Sequence, residues 1–220
     1  MILAVDTSTQ SVGLALYDGN QVIGEIIWQS RNHHTVEIGP AIEQLFKQCG
    51  YQYQDLKGLG VALGPGSFTS LRIGLAIVKG LALSLHIPIV GIPTLDILAA
   101  SQPEKEVPMA AILQAGRSRL AVGWYHYNNG TWMKKNEPEI MTVEELFNGI
   151  ENATYICGEL SFDQRQLLAK KRRYIMLASP VQSVRRPALL ASMAWNKIKA
   201  DQIDDAVSLS PIYLHIANPI

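Results

Sequence analysis

The sequence predicts an α/β chain made of two hairpin-led halves, and three observations predict it. Residues 2–28 read as strand ILAVD, a polar turn Thr7 to Ser11, strand VGLALY, the turn Asp18-Gly19 and strand QVIGEIIW; an Asp-Gly pair between alternating apolar runs is a strong hairpin signal. About 108 positions later the plan returns as AAILQ, a polar turn Ala115 to Arg119, LAVGWYHY, Asn129-Gly130 and TWMKK. That register sets Asp6 opposite Gln114, Val12 opposite Leu120, Leu16 opposite Trp124 and Tyr17 opposite Tyr125, as an internal duplication would. After each set of strands, helical and strand-like segments alternate, the order expected of crossover connections and partly parallel sheets.

In the first half, Thr35 to Gln48 reads as a helix, GLGVAL as a buried strand and Ser67 to Leu85 as a second helix, followed by strand IPIVG. Between strand and helix, Gly64, Pro65 and Gly66 let the backbone turn tightly, and Ser67 or Thr69 is placed to cap the helix. Within Phe68 to Leu85 the only charges are Arg72 and Lys79, seven apart on one stripe. A surface helix needs a broad polar face, so a helix this apolar is expected to be buried on nearly all sides. One side belongs on its own sheet. The small residues Gly74, Ala76, Gly80 and Ala82 permit close approach of another protein, and a central core helix is the alternative. Ser101 to Val107, SQPEKEV, interrupts the pattern and divides the chain into lobes 1–105 and 106–220, with the last helix packing back on the first lobe. In the second half Thr142 to Asn148 forms a short helix with Thr142 and Glu145 as a capping box, and Gly149 suits the position just past its end. Strands ATYICG and RYIMLA follow, and Pro187 fits the first turn of a final helix, Ala188 to Lys199.

The composition narrows the function. At 220 residues, with 48% hydrophobic and 17% charged residues, the chain is compact and short of surface charge, which favours a buried oligomeric face. Nineteen cationic and nineteen anionic residues leave no net charge, so no global basic field holds nucleic acid. Lys170-Lys171-Arg172-Arg173 is the local candidate for meeting phosphates, although it reads more simply as the solvated last turn of a helix. Cys49 and Cys157 stand apart with no C-x-x-C spacing, and Met1 leads straight into a strand, which fits a reducing cytoplasm. Leu71 to Leu85, broken by Arg72 and Lys79, is too short to read as a membrane span.

Asp6 at a strand end, followed by Thr7, Ser8 and Thr9, is an arrangement that can hold a metal-bound phosphate through its carboxylate, hydroxyls and turn amides. The simpler reading, given equal weight, is an Asx turn. The repeat places Gln114 where a second carboxylate would be needed, and a neutral amide is neither a general base nor a strong Mg²⁺ ligand. Gly64, Gly66 and Ser67 at the start of an apolar helix offer an anion site, but Thr69 stands where a dinucleotide fingerprint has its third glycine. His33 and His34 are adjacent and diverge, while His86, His126 and His215 stand alone, so no metal set is expected. No nucleophile with a base is found, which leaves no peptidase chemistry.

The combined text ILAVDTST, SRNHHTVEIGPAIEQLF, GPGSFTSLRIGLAIVKGLAL and PIYL near Pro211 closely resembles the bacterial TsaB (YeaZ) family over the whole chain. The resemblance implies the duplicated, two-lobed, ribonuclease H-like fold of actin, sugar kinases and heat-shock chaperone ATPases (ASKHA). It implies a noncatalytic subunit that binds TsaD, the transferase that places threonylcarbamoyl on adenosine 37 of tRNAs reading ANN codons. TsaE would join through the TsaB–TsaD complex, the isolated chain would form a homodimer, tRNA contact would be mainly indirect, and no membrane would be involved. No cofactor is required on this reading, although weak or interface-shared ATP or ADP is compatible with it.

The family face is built from the first two helices. Carried onto this chain, it comprises Ile38, Ile42, Leu45 and Phe46 on the first, and Leu71, Arg72, Gly74, Leu75, Val78, Lys79 and Ala82 on the second. A lesser nucleotide or anion contact falls on Asp6, Thr7, Ser8, Gly64, Gly66 and Ser67, with no catalytic or metal-binding residue. The chain departs from the family pattern at Ser70, where relatives carry Gly, at Gln114 and Gly116, where they carry an acid and an arginine, and at His215, where they carry arginine. Two alternatives compete: an autonomous ATP-dependent small-molecule kinase of the same fold, and a homodimeric regulator that acts without TsaD.

Overall fold

The computed structural model describes residues 1–31, 34–116 and 118–214; His33 and His215 lie outside the described residues. The first half gives β1 (Ile2–Asp6), β2 (Ser11–Tyr17), β3 (Val22–Gln29), α1 (His34–Cys49), β4 (Gly58–Ala62), α2 (Phe68–Leu85), β5 (Ile89–Ile92) and α3 (Thr94–Ala100). Its five-stranded sheet runs β3-β2-β1-β4-β5. The hairpin strands pair antiparallel, whereas β1, β4 and β5 are parallel, because α1 and α2 serve as their crossovers.

The second half gives β6 (Met109–Gln114), β7 (Arg119–Asn128), β8 (Thr131–Lys134), β9 (Glu139–Thr142), α4 (Val143–Gly149), β10 (Thr154–Gly158), α5 (Phe162–Ala169) and β11 (Ile175–Leu177), and the chain ends its regular structure in α6 (Pro187–Lys199). This sheet repeats the first order as β8-β7-β6-β10-β11. The counterpart of β3 is split: β9 pairs with Arg119–Val122 of β7, and β8 with Tyr125–Asn128.

The fixed offset between the repeats fails by one residue across the turn. Asp6 faces Gly13 and Ile2 faces Tyr17 in the first hairpin, but Gln114 faces Leu120 and Met109 faces Tyr125 in the second. Tyr17 therefore corresponds to Trp124 rather than Tyr125, and Val12 to Arg119 rather than Leu120. A one-residue slip exchanges the faces of every following side chain, which an ungapped comparison of the two sequences conceals.

The described residues divide into two compact units, one within 1–97 and 186–212, the other within 98–185 with 213 and 214. The boundary thus falls before residue 105, and the segment carrying α6 belongs to the first unit. Alternation along β1 and β2 explains why. Leu3, Val5, Leu14 and Leu16 face one core with α1 and α2, while Ile2, Ala4 and Ala15 face a second core with Leu190, Ala191 and Ala194 of α6. Burying Leu190 alone contributes about 1.5–3 kcal/mol. Glu25 of β3 anchors the start of α6, accepting from the Ala188 amide at 2.9 Å and pairing with Arg186.

The capping boxes are formed as drawn from sequence at Thr142 and Glu145, and also at Ser161 and Gln164 of α5. Gly149 is the last helical residue rather than the one beyond it, and Ile150 ends α4 in extended backbone. Ser67 is the N-cap residue of α2, but neither it nor Thr69 caps through its side chain. The Ser70 hydroxyl instead donates to Ser67 Oγ at 3.0 Å.

Candidate functional site

The β1–β2 turn and the glycine turn before α2 meet, and their polar groups are spent on each other. Asp6 is 2% exposed, and its Oδ1 accepts from the Ser8 amide at 2.9 Å, an Asx turn. The Thr7 hydroxyl donates to the Ser70 carbonyl at 2.8 Å. Ser8 Oγ lies 2.7 Å from Thr94 Oγ1, which also accepts from the Gly64 amide at 2.9 Å. The Ser67 amide donates to the Ser8 carbonyl at 2.7 Å. These bonds tie β1, α2 and α3 into one latch.

Two glycines let the latch close. A Cβ on Gly66 would stand 2.2 Å from the Ser8 carbonyl oxygen, and one on Gly74 would stand 2.2 Å from Thr7 Oγ1. Of the residues marked for an anion, only Ser67 is exposed, while Asp6, Thr7, Ser8 and Gly64 are buried. An anion here would have to displace hydrogen bonds already made by Thr7 and Ser8, each worth about 0.5–1.5 kcal/mol net. Among the described residues no three His, Cys, Asp or Glu side chains converge as a metal set.

Gln114, at the corresponding strand end of the second unit, is likewise engaged. Its Nε2 donates to the Glu159 carbonyl at 2.9 Å and to Gln164 Oε1 at 2.8 Å. Sequence reasoning missed Glu159, whose Oε2 lies 3.5 Å from the Gln114 amide nitrogen. It also missed Arg185, only 4% exposed, whose guanidinium holds Glu159 Oε1 at 2.6 Å. The partners are 26 residues apart in sequence, and no local motif announces them.

The two helices expected to carry a partner face lie side by side over the first sheet, but in the opposite orientation to the one assumed. Ile38, Ile42, Leu45 and Phe46 of α1 and Leu71, Gly74, Leu75, Val78 and Ala82 of α2 are all buried in the chain's own fold. The reason is spacing: Leu75, Val78 and Ala82 form the stripe that joins the core with β1 and β4, and Leu71, one turn earlier, is buried as well. They cannot meet a partner without unfolding the core, which corrects their placement in the face. Lys79 is half-buried and turned aside, donating to the Val207 carbonyl at 2.9 Å.

The outward side of α2 consists of Phe68, Thr69, Arg72, Ala76, Gly80, Leu83 and Ser84. Phe68 is 55% and Leu83 57% exposed, with Ile73 and Ile77 half-buried beside them. Arg72 is the only charge on this stripe, and its guanidinium lies 5.1 Å from the Phe68 ring centroid. α1 adds Val36, 67% exposed. α2 is therefore not enclosed on nearly all sides. Its 18 residues have a mean hydropathy of 1.5, so by length and composition it could cross a membrane, contrary to the sequence reading. Its inner stripe is nevertheless committed to the first sheet.

A family model described as TsaD, tRNA N6-adenosine threonylcarbamoyltransferase, matches residues 21–196. The chain is 40% identical over 129 residues to the tRNA threonylcarbamoyladenosine biosynthesis protein TsaB of Bacillus subtilis, covering 59% of this chain and 56% of that protein. It is 26% identical over 216 residues to the TsaB of Buchnera aphidicola from Acyrthosiphon pisum, covering 94% and 96%. Among solved structures, YeaZ from Pseudomonas aeruginosa superposes with a TM-score of 0.79 at 22% identity, over 97% of this chain and 99% of that one.

Proposed function

The chain belongs to the TsaB (YeaZ) family, with the two-lobed actin-like ATPase fold, and we propose that it is the noncatalytic subunit that docks on the TsaD transferase and supports threonylcarbamoylation of tRNA adenosine. The observation that carries this reading is the outward stripe of α2. An exposed side of Phe68, Ala76, Gly80 and Leu83, with the small polar residues Thr69 and Ser84 and one cation, has the charge-poor, largely apolar character of an interface core. Its small residues let a partner helix come close. A second copy of the chain would compete for the same stripe, giving a homodimer when TsaD is absent. TsaE joins through the complex, tRNA is handled mainly by the transferase, and the setting is cytoplasmic.

No catalytic group is assigned to this chain. Thr7, Ser8 and Gln114, the residues a kinase would turn toward phosphate, are bonded to protein partners, which supports the scaffold over the kinase alternative. Any ATP or ADP would bind weakly here or at the joint with the partner. The test is the mass of the complex with the same organism's TsaD by light scattering, for the wild type and Gly80→Glu. A heterodimer lost in the variant supports docking through α2. Failure of the wild type to associate at any practical concentration, with nucleotide and TsaE present, overturns it.

A further inference from the structure

The turn after α5 carries cations that the fold does not use. Lys170 closes α5, Lys171 to Tyr174 form hydrogen-bonded turns, and β11 follows as the edge strand of the second sheet. The backbone there is firmly tied. The amides of Lys170 and Lys171 donate to the carbonyls of Leu167 and Leu168, and those of Tyr174 and Ile175 both donate to the Lys171 carbonyl. The Thr154 amide of β10 donates to the Tyr174 carbonyl at 2.7 Å.

Two cations of this region are structural. Arg165 gives both terminal nitrogens to the Ala178 carbonyl, at 3.0 and 2.8 Å. Lys171 donates to the Phe147 carbonyl at 2.8 Å and lies over the Phe147 ring, pinning the turn to α4. Lys170, Arg172 and Arg173 are left. All three are exposed, and among the described residues no carboxylate pairs with them. Arg173 lies 5.7 Å from the centroid of its neighbour Tyr174, which restrains a guanidinium whose fork of donors still faces solvent.

We infer that this turn is a direct contact for RNA phosphates. The inference rests on the function proposed above, which supplies tRNA as the polyanion, and it adds a contact where that reading left tRNA to the partner. In a chain with no net charge, three unpaired cations on a rigid turn form a local field that attracts phosphate. The helix dipole favours cations only within the last turn, whereas here Arg172 and Arg173 continue past the helix toward the sheet edge.

The test is the triple substitution Lys170→Gln, Arg172→Gln and Arg173→Gln, which spares Lys171 and Arg165 and therefore the fold. Binding of an ANN-reading tRNA transcript by the complex with TsaD is followed by fluorescence anisotropy across a KCl series, with Lys134→Gln as the control. Each phosphate contact adds about 0.7 to 0.9 to the salt slope. The wild type should therefore lose about 20- to 40-fold more affinity than the triple variant between about 50 and 200 mM KCl, with the control unchanged. Equal slopes overturn the inference. So does loss of TsaD binding in the triple variant with the salt slope retained, which would mark the turn as a site for an acidic protein surface. Should no complex form, the function proposed above fails, and the isolated chain decides this inference. Shifts of the Arg172 and Arg173 side-chain N–H resonances on adding tRNA at low salt uphold it, and their absence refutes it.

Discussion

Gly74 and Gly80 lie on the same helix, six residues apart, and the structure assigns them opposite consequences. A Cβ built on Gly80 meets nothing within 4 Å, and the residue is exposed. Its replacement removes a helix-interior glycine, which contributes about 0.5–1 kcal/mol in favour of the folded chain. For a protein of this length that is a rise in Tm of about 1–4 °C, expected for Gly80→Ala and nearly as large for Gly80→Glu. Docking should respond differently. Gly80→Glu places an unpaired carboxylate under the partner, at several kcal/mol, so the complex should weaken by at least about 100-fold, the equivalent of about 3 kcal/mol.

Gly74→Ala is the internal contrast. Its Cβ would stand 2.2 Å from Thr7 Oγ1, forcing the Thr7–Ser70 bond apart at about 1–3 kcal/mol, so Tm should fall. Thermal melts by circular dichroism and light scattering with TsaD check all three variants. A Gly80→Glu chain that melts at or above the wild-type temperature and still binds TsaD as tightly refutes the docking face. A stabilising Gly74→Ala would refute the assigned orientation of α2.

Three further outcomes are expected. Thr94→Val keeps the shape but leaves the buried Ser8 hydroxyl and Gly64 amide short of a partner, so urea unfolding should show a loss of about 2–4 kcal/mol; an unchanged midpoint would mean the latch does not stabilise the fold. Burial, and secondarily Cys157 nearby, pushes the Tyr155 phenol up to about 12, and its hydroxyl donates to Gln102 Oε1 at 3.0 Å. A folded value above the unfolded one of about 10 means the stability is intact below pH 10 and declines as pH rises through about 12. Absorbance at 295 nm should show a late-titrating phase near 12 that is missing in Tyr155→Phe, and a high-pH titration unchanged by that substitution would count against this. Burial pushes the Cys157 thiol far above its usual range, whereas Cys49 is only half-buried. Ellman's reagent should therefore label at most one thiol in the native chain and two in urea; rapid labelling of Cys157 in the native chain would contradict the packing of β10.

What could be read from the sequence was what neighbouring residues decide. Asp18-Gly19 marked the β2–β3 turn, Thr142 with Glu145 located α4, and Pro187 marked the start of α6, all within one residue of their observed places. Ser161 with Gln164 held the same kind of signal for α5. The inward side of α2 was illegible because apolar residues occupy both sides: Leu71 and Leu75 are no more hydrophobic than Ile73 and Ile77, so periodicity favours neither. The latch was illegible for another reason. Its keystone, Thr94, lies 86 residues from Ser8 and resembles any helix-starting threonine until the fold brings it to the turn.

Contacts between distant residues also explain how a phosphate-like motif can serve to position a helix. An Asp-Thr-Ser turn at a strand end and a glycine turn before a helix bind an anion when their amides and hydroxyls point outward unengaged. Here the Ser8 amide goes to Asp6, the Ser67 amide to the Ser8 carbonyl, and the Thr7 hydroxyl to Ser70 in the first turn of α2. The first of these bonds shapes the turn itself, and the other two, which would have met a phosphate, instead tie down the start of α2 and its rotation. Rotation is the property a docking helix needs, because a turn of about 100° per residue position decides whether Ala76 and Gly80 or Leu75 and Val78 face outward. A latch of buried, mutually satisfied groups holds that choice more rigidly than apolar packing does, since Leu, Ile and Val can substitute for one another in a core and a hydrogen bond cannot be rotated away without leaving its partner unpaired. The polar turn would therefore orient the proposed docking face without belonging to it.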